Sequence, residues 1–366
     1  MKVAFVIANL GCGGAEKVLT LIANSLVGSA DSIQIITFAK VDRPHFPVHR
    51  GIKIVSVDRF EVSKTLRQKL ESNIIRISRL RRLLSDFDPD VVVSFMDRVN
   101  VVSCLASLKR SWRLIVSERS VPGHFPIGRF WGILRSLSYR RADCVVAQTK
   151  GVSEWLRKNT ASGRIEIVGN PVELIASADS GRMEDSIHMP RKNIILYVGR
   201  FAWMKRLDIM VRAFYDLGSS REGWELWLVG DGPTKSEIET LVSKLKLSES
   251  VVFKGRLEEL DSLYQEAAIF AMSSSLEGMP NALMEAMAWG IACISTDCPF
   301  GPRDVIENNV DGLLVANENV DEFSRGLQRL VTSSNLRERL GASARESCVR
   351  FEKSSILKRW HEIILD

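Results

Sequence analysis

The sequence predicts an α/β chain of two Rossmann-like parallel-sheet domains facing a cleft, and three observations lead there. Short apolar runs of strand length alternate with helical stretches through both halves, the signature of parallel sheets covered by helices. Glycine turns follow several of these runs, at Gly11-Cys12-Gly13-Gly14, at Gly199-Arg200 and at Gly230-Asp231-Gly232-Pro233. Between the halves, residues 173–192 are polar, include Pro190 and lack periodicity, so they read as a linker. The expected division is 1–172, linker 173–192, 193–350 and a last helix at 351–366. With 366 residues and 45% hydrophobic content, each domain is large enough for its own core.

In the first half, strands are expected at 2–8, 33–38, 53–57, 91–95, 114–117, 144–147 and 165–168. In the second they are expected at 194–198, 225–229, 251–254, 268–272, 292–296 and 312–315. The glycine turn at 11–14 opens a helix at 15–26. Residues 64–84 place Leu66, Leu70, Ile74, Ile77, Leu80 and Leu84 at helical spacing among seven cations, with Glu71 as the only acid. Such a basic amphipathic helix either lies on an anionic membrane surface or turns its apolar face to the core. Residues 282–288 are strong helix formers, 305–308 follow the Pro299-Phe300-Gly301-Pro302 turn as a short helix, and 353–365 carry Ile356, Leu357, Trp360, Ile363 and Ile364 on a helical pattern.

Composition excludes several classes. A net charge of +6 is compatible with nucleic acid, but no aromatic-rich basic stripe or recognition motif supports that partner. The six cysteines are scattered without a C-x-x-C pair and read as buried thiols of a cytosolic protein. No grouping of His, Cys, Asp and Glu has zinc spacing, so neither metal nor bound cofactor is expected. No apolar run approaches about 18 residues, so no transmembrane helix is expected. The first strand runs into glycines and Glu16 rather than a small-residue cleavage site, which argues against a signal peptide.

The chemistry concentrates in Ser273-Ser274-Ser275-Leu276-Glu277-Gly278-Met279-Pro280-Asn281 and the helix that follows, with a second carboxylate at Glu285. This is strand, loop, helix. Glu277 falls in the loop at the carboxyl end of a strand, where open α/β sheets bind ligands, and Glu285 about two turns into the helix. The first-turn N–H groups near Asn281 and Ala282 suit an anion, and a carboxylate beside them suits sugar hydroxyls. Upstream, Arg200 and Lys205 share the loop after another strand, where a planar fork and a point charge together can neutralise a diphosphate without a metal. The whole reads as a sugar-nucleotide site. A capped helix with two surface glutamates is the alternative for the Glu277 to Glu285 segment taken alone.

Gly199-Arg200 with Lys205, then Gly230-Asp231-Gly232, then Glu277 to Glu285 in an E-x7-E arrangement resemble the carboxyl-terminal domain of the retaining GT-B glycosyltransferases of family 4. Gly13-Gly14-Ala15-Glu16 is similar to that family's amino-terminal glycine turn, so the resemblance spans essentially the whole chain. It implies Arg200, Lys205 and Glu277 as catalytic residues, and Gly14, Gly199, Gly278, Met279, Pro280, Asn281 and Glu285 around the donor. It implies a last helix that crosses back to the first domain, and a leaving phosphate that takes the acceptor's proton. Gly13, Asp97, Asn100, Glu118, Arg119 and Arg303 are the implied acceptor contacts. Asp97 and Asn100 lie in a segment similar to enzymes that extend undecaprenyl-diphosphate-linked oligosaccharides, and Arg303 in a loop similar to those of surface-polysaccharide enzymes. Arg119 stands where many relatives carry a donor-binding histidine; a phosphate of the lipid-linked acceptor is a possible partner for it, and a surface arginine is the alternative.

The expected activity is therefore transfer of a hexosyl or N-acetylhexosaminyl unit, from a nucleotide sugar carrying UDP, to an undecaprenyl-diphosphate-linked saccharide in polysaccharide, O-antigen or glycan assembly. The expected location is cytoplasmic, at the inner face of the plasma membrane through the helix at 64–84. A sugar-nucleotide-binding partner of another transferase, weak in catalysis itself, is the competing reading. A nicotinamide dehydrogenase is disfavoured because Glu16 occupies the third glycine position of the dinucleotide fingerprint and would repel a pyrophosphate there.

Overall fold

Short Val- and Ile-rich runs such as Val91-Val92-Val93 settle as strands buried on both faces once helices cover them. The structure, a computed structural model, describes residues 1–57, 66–124, 127–174 and 191–366, with the backbone alone at 66–70. Two units result: Met1–Pro171 with Ser354–Asp366, and Val172–Lys353. Most of the expected linker lies outside the described residues.

The first unit holds seven parallel strands: β1 (Lys2–Ile7), β2 (Ser32–Thr37), β3 (Ile52–Ser56), β4 (Val91–Phe95), β5 (Arg113–Glu118), β6 (Cys144–Ala147) and β7 (Ile165–Ile167). Their order is β3-β2-β1-β4-β5-β6-β7. The second unit holds β8 (Lys192–Val198), β9 (Glu225–Val229), β10 (Val251–Gly255), β11 (Ala267–Met272), β12 (Ala292–Asp297) and β13 (Leu313–Ala316), in the order β10-β9-β8-β11-β12-β13. Each expected strand is present, with ends shifted by no more than two residues. In both sheets the chain reverses its direction of travel beside the first strand, between β1 and β4 and between β8 and β11. Open α/β sheets form their ligand crevice at such a switch point, outside the carboxyl ends of the strands.

Helix Gly14–Ser25 packs Val18, Leu19, Ile22 and Ala23 into the same core as Val3, Phe5 and Ile7 of β1. The last helix, Lys353–Leu365, belongs to the first unit and adds Ile356, Trp360, Ile363 and Ile364 to that core. The Arg113 guanidinium donates to the carbonyls of Ile363 (3.0 Å) and Ile364 (3.3 Å), a cation placed at the negative end of the helix dipole. Among the described side chains, helix Leu66–Phe87 buries Leu80 and Leu84 but leaves Ile74 65% exposed. Part of its basic face is turned inward too. Arg81 donates to the carbonyls of Ala106 (2.9 Å) and Leu105 (3.0 Å), and Arg79 to that of Val57 (3.1 Å). The short helix after the Pro299–Pro302 turn runs earlier than expected, over Pro302–Val305, because proline favours the first helical position, where its missing N–H costs nothing.

Candidate active site

At the switch point of the second unit, the loops after β8 and β11 are joined by serine hydroxyls. Ser273 Oγ donates to the carbonyls of Lys205 (3.0 Å) and Arg206 (2.8 Å). Ser275 donates to the Met204 carbonyl from its N–H (2.8 Å) and its hydroxyl (3.2 Å). Arg206 is held in the left-handed region at φ 46° by a two-pronged pair with Asp208, both contacts 3.0 Å, and by a short contact to Glu318. These bonds fix the backbone that carries Lys205. Its Nζ lies 2.5 Å from Glu277 Oε1, and Ser274 Oγ donates to the same oxygen at 2.7 Å. Thr296 Oγ1 in turn donates to the Ser274 carbonyl at 2.5 Å. Glu277 is nearly buried, and its charge adds to burial in raising the Tyr197 phenol well above its ordinary pKa.

Arg200 stands on the same loop and is exposed; among the described residues no carboxylate pairs with it. Its carbonyl accepts from Tyr197 Oη at 3.1 Å. The Gly230-Asp231-Gly232 turn supports this loop from the side. Gly230 sits at φ 134°, and a Cβ there would meet the Gly199 carbonyl oxygen at 1.9 Å, so only glycine lets the two turns touch. Gly301 has the same role against the other loop: a Cβ at its φ of 82° would lie 2.7 Å from the Gly278 oxygen and 3.1 Å from Pro280 Cδ. Helix Asn281–Ala288 starts directly after Pro280 with no side-chain cap, and Glu285 accepts from the buried Tyr264 Oη at 3.0 Å. Burial first, and then the Glu285 charge, push that phenol well above its usual pKa. Arg303 is placed on this unit, its guanidinium already engaged by Asp297 at 2.9 and 2.8 Å.

In the first unit the glycine turn follows β1. A Cβ on Gly13 would meet Glu16 Oε2 at 2.2 Å, because the Glu16 side chain folds back over the turn it follows. Burial raises the pKa of that carboxyl. Glu16 thus occupies the position where a helix N-terminus would take a phosphate. At the end of β4, Met96 adopts φ 78° and ψ 147°, a conformation rare for a side-chain-bearing residue, just before Asp97 opens the next helix. Asp97 is partly exposed there.

Three of the expected acceptor contacts are buried. Asn100 and Glu118 have no exposed surface. Asn100 Nδ2 donates to the Ser117 carbonyl (2.9 Å) and Tyr139 Oη (3.2 Å). Glu118 accepts from Ser120 Oγ (2.5 Å) and Tyr139 Oη (2.8 Å), with Arg135 Nη1 3.7 Å away, and burial raises its pKa. Both residues belong to one buried network with Ser117, Ser120 and Tyr139. Arg119 is not a surface arginine: it is 9% exposed, donates to Ser117 Oγ (2.7 Å) and Asn170 Oδ1 (2.5 Å), and lies over the rings of Phe95 and Trp360 at 5.0 and 5.6 Å. Burial without a carboxylate partner lowers its pKa to about 9, and its Nη2 has no hydrogen-bond partner among the described residues.

The arrangement of Lys205, Arg200 and two carboxylates at one switch point suits a diphosphate joined to a hydroxyl-rich group, and comparison with known proteins agrees. Residues 182–347 match the Glycosyl transferases group 1 family and residues 13–171 the Glycosyl transferase 4-like domain. The chain belongs to this glycosyltransferase family. It is 28% identical over 367 residues to the Campylobacter jejuni GalNAc-alpha-(1->4)-GalNAc-alpha-(1->3)-diNAcBac-PP-undecaprenol alpha-1,4-N-acetyl-D-galactosaminyltransferase, covering 100% of this chain and 99% of that one. It is 26% identical to the lipopolysaccharide 1,6-galactosyltransferase of Escherichia coli over 100% and 98% of the two chains. Among solved structures, the Anabaena protein HepE in complex with UDP and glucose superposes with a TM-score of 0.80 at 17% identity, over 99% of each chain. The glycosyltransferase thus has the GT-B architecture of two Rossmann-like domains.

Proposed function

We propose that this glycosyltransferase moves a hexosyl or N-acetylhexosaminyl unit from a UDP-linked donor to a lipid-diphosphate-linked saccharide, with retention at the anomeric carbon, in assembly of a bacterial surface polysaccharide, O-antigen or glycan. The observation that carries the reading is the contact of Lys205 with Glu277, which brings a phosphate-binding cation and a hydroxyl-binding carboxylate together at the carboxyl ends of β8 and β11. Arg200 and Lys205 stabilise the negative charge that develops on the departing diphosphate, as preorganised cations do. Both contacts to Glu277 fall on Oε1, which leaves Oε2 to accept from a sugar hydroxyl. Gly199, Gly278, Met279 and Pro280 shape the turn around the donor, the first N–H groups of helix Asn281–Ala288 face its phosphates, and Glu285 accepts from the ribose. The bond from the anomeric carbon to the phosphate oxygen breaks, the acceptor oxygen bonds the same carbon on the same face, and the acceptor's proton passes to the released phosphate. Gly14 serves the donor side and Gly13 and Asp97 the acceptor side in this reading, and Arg303 is available to the acceptor once Asp297 releases its guanidinium. The names of relatives acting on undecaprenol-linked saccharides support the acceptor class, and UDP bound to a structural neighbour supports the nucleotide.

Thermal melting against UDP-, GDP-, ADP- and dTDP-sugars, with EDTA present, tests the donor. A ligand present at about 100 times its Kd stabilises by about 2.7 kcal/mol, which is readable as a shift in midpoint. UDP-sugars are expected to raise the midpoint of the wild type and not of Lys205→Ala. A shift that only a metal permits, or one that Lys205→Ala retains, overturns the assignment.

A further inference from the structure

Met96, the residue before helix Asp97–Ala106, stands at φ 78° and ψ 147°. Glycine is almost the only residue that adopts such a conformation freely, and the residue before a helix ordinarily takes the extended region instead. The start of a helix does not require this strain. Strained backbone persists only where the groups around it over-determine it.

One residue supplies most of those groups. The Asn100 N–H donates to the Met96 carbonyl at 2.8 Å. The Met96 N–H donates to the Ser117 carbonyl at 3.2 Å, and Asn100 Nδ2 donates to that same oxygen at 2.9 Å. A second contact from Nδ2 reaches Tyr139 Oη at 3.2 Å, and Tyr139 Oη in turn donates to Glu118 at 2.8 Å. Asn100 therefore holds Met96 through both of its backbone groups, and has no exposed surface with which to meet a ligand itself. Its Oδ1 has no hydrogen-bond partner among the described residues, a cost that an apolar side chain at this position would avoid.

The strained turn leads directly into Asp97, at the carboxyl end of β4 beside the switch point between β1 and β4. Asp97 is partly exposed, and its Oδ1 accepts from the Arg98 N–H at 2.6 Å, which leaves Oδ2 for a hydroxyl. The direction of that carboxylate is set by the dihedral angles of the residue before it.

We propose that Asn100 is a positioning residue for the acceptor: it clamps Met96 in a strained turn, and the turn fixes the direction in which Asp97 offers its carboxylate to a hydroxyl of the acceptor saccharide. It rests on the reading of Asp97 as an acceptor contact and deepens it, by giving a buried residue control over an exposed one.

The test uses the full chain with UDP-sugars and a titrated extract of bacterial undecaprenyl-diphosphate-linked saccharides. Without the clamp only a fraction of the molecules holds Asp97 in place, and the apparent affinity for the acceptor falls by that fraction. Asn100→Ala is expected to raise the acceptor KM about tenfold, the factor that strain of this kind places on a local equilibrium, with the UDP-sugar melting shift unchanged. Adding Met96→Gly, which takes the same φ without strain, is expected to return the acceptor KM to within about threefold of the wild type. Met96→Ile, similar in volume but branched at Cβ, is expected to raise the acceptor KM with Asn100 in place, a route that does not depend on Asn100→Ala folding. A double variant no better than Asn100→Ala overturns the positioning role, because deleting a second side chain does not repair a merely structural loss. Wild-type acceptor KM in both Asn100→Ala and Met96→Ile overturns it as well. Asp97→Ala with the wild type's acceptor KM, or a wild type that transfers to no saccharide in the extract, contradicts the acceptor reading instead and takes the positioning role with it. The melting midpoint separates the two failures, since a clamp is shown if Asn100→Ala lowers it and Met96→Gly restores it.

Discussion

Lys205 and Glu277 lie far apart in sequence, yet their side chains share a hydrogen bond at 2.5 Å because β8 and β11 are neighbours in the sheet. Each residue was legible from its own strand, loop and helix; the pair was not, since a crossover topology decides which two loops meet. Removing the Lys205 ammonium by Lys205→Ala is expected to lower kcat/KM by about 100- to 1,000-fold, the scale seen when a preorganised charge-stabilising donor is deleted. Steady-state transfer kinetics check this, and near-normal turnover would remove Lys205 from the mechanism. Asn100 and Glu118 show the opposite limit of sequence reading. A polar residue at a strand end reads the same whether it faces ligand or floor, and here two fully buried groups build a network around Tyr139. Arg119 is a cation buried without a counter-ion, a state that costs stability. Arg119→Met is therefore expected to keep or raise the melting midpoint even though Ser117 and Asn170 lose a donor. A fall of several degrees would show that the contacts with Phe95, Trp360 and Asn170 outweigh the desolvation.

At the scale of elements, the glycine turns act as spacers that let successive loops press together. Gly230→Ala brings a Cβ against the Gly199 oxygen at a φ that side chains rarely adopt, and is expected to cost about 1–3 kcal/mol by chemical denaturation and to weaken donor binding. A neutral effect would show that the 199–205 loop is not held by this contact. The Gly-Asp-Gly motif was visible in the sequence, but its use as a spacer depends on a neighbouring strand that the motif does not name. The β5 end has a pH signature. Burial raises the Glu118 pKa above its ordinary 4.5, so the folded chain holds that proton more tightly than the unfolded chain. The stability it contributes is full below the ordinary carboxylate pKa and is lost as pH rises through the raised one. Glu118→Gln cannot ionise, so its midpoint should decline less than the wild type's as pH rises above the ordinary carboxylate pKa. Equal slopes would place the pH dependence elsewhere. Helix Arg129–Ser138 was hidden for a different reason: Phe130, Ile133 and Leu137 make an ordinary amphipathic pattern, and only burial reveals that Arg135 is the inward residue and those three are exposed.

For the whole molecule, parallel-strand periodicity and glycine punctuation were enough to place every strand, because the central strands, buried on both faces, leave an uninterrupted apolar mark. The membership of the last helix follows from packing. Trp360 has no exposed surface and stacks on Phe95 with ring centroids 5.8 Å apart, so Trp360→Ala is expected to cost about 3–5 kcal/mol and to unfold the first unit while the second still binds nucleotide. Loss of both together would mean that the units are not separate in stability. The measurement that bears most directly on the central claim is transfer of radiolabelled sugar from UDP-sugars to bacterial lipid-diphosphate-linked saccharides in EDTA, followed by NMR of the new anomeric bond. The account predicts label in the lipid fraction with the donor's anomeric configuration kept, lowered by Lys205→Ala about 100-fold or more. Inversion of that configuration, a requirement for metal, or undiminished transfer by Lys205→Ala would contradict it.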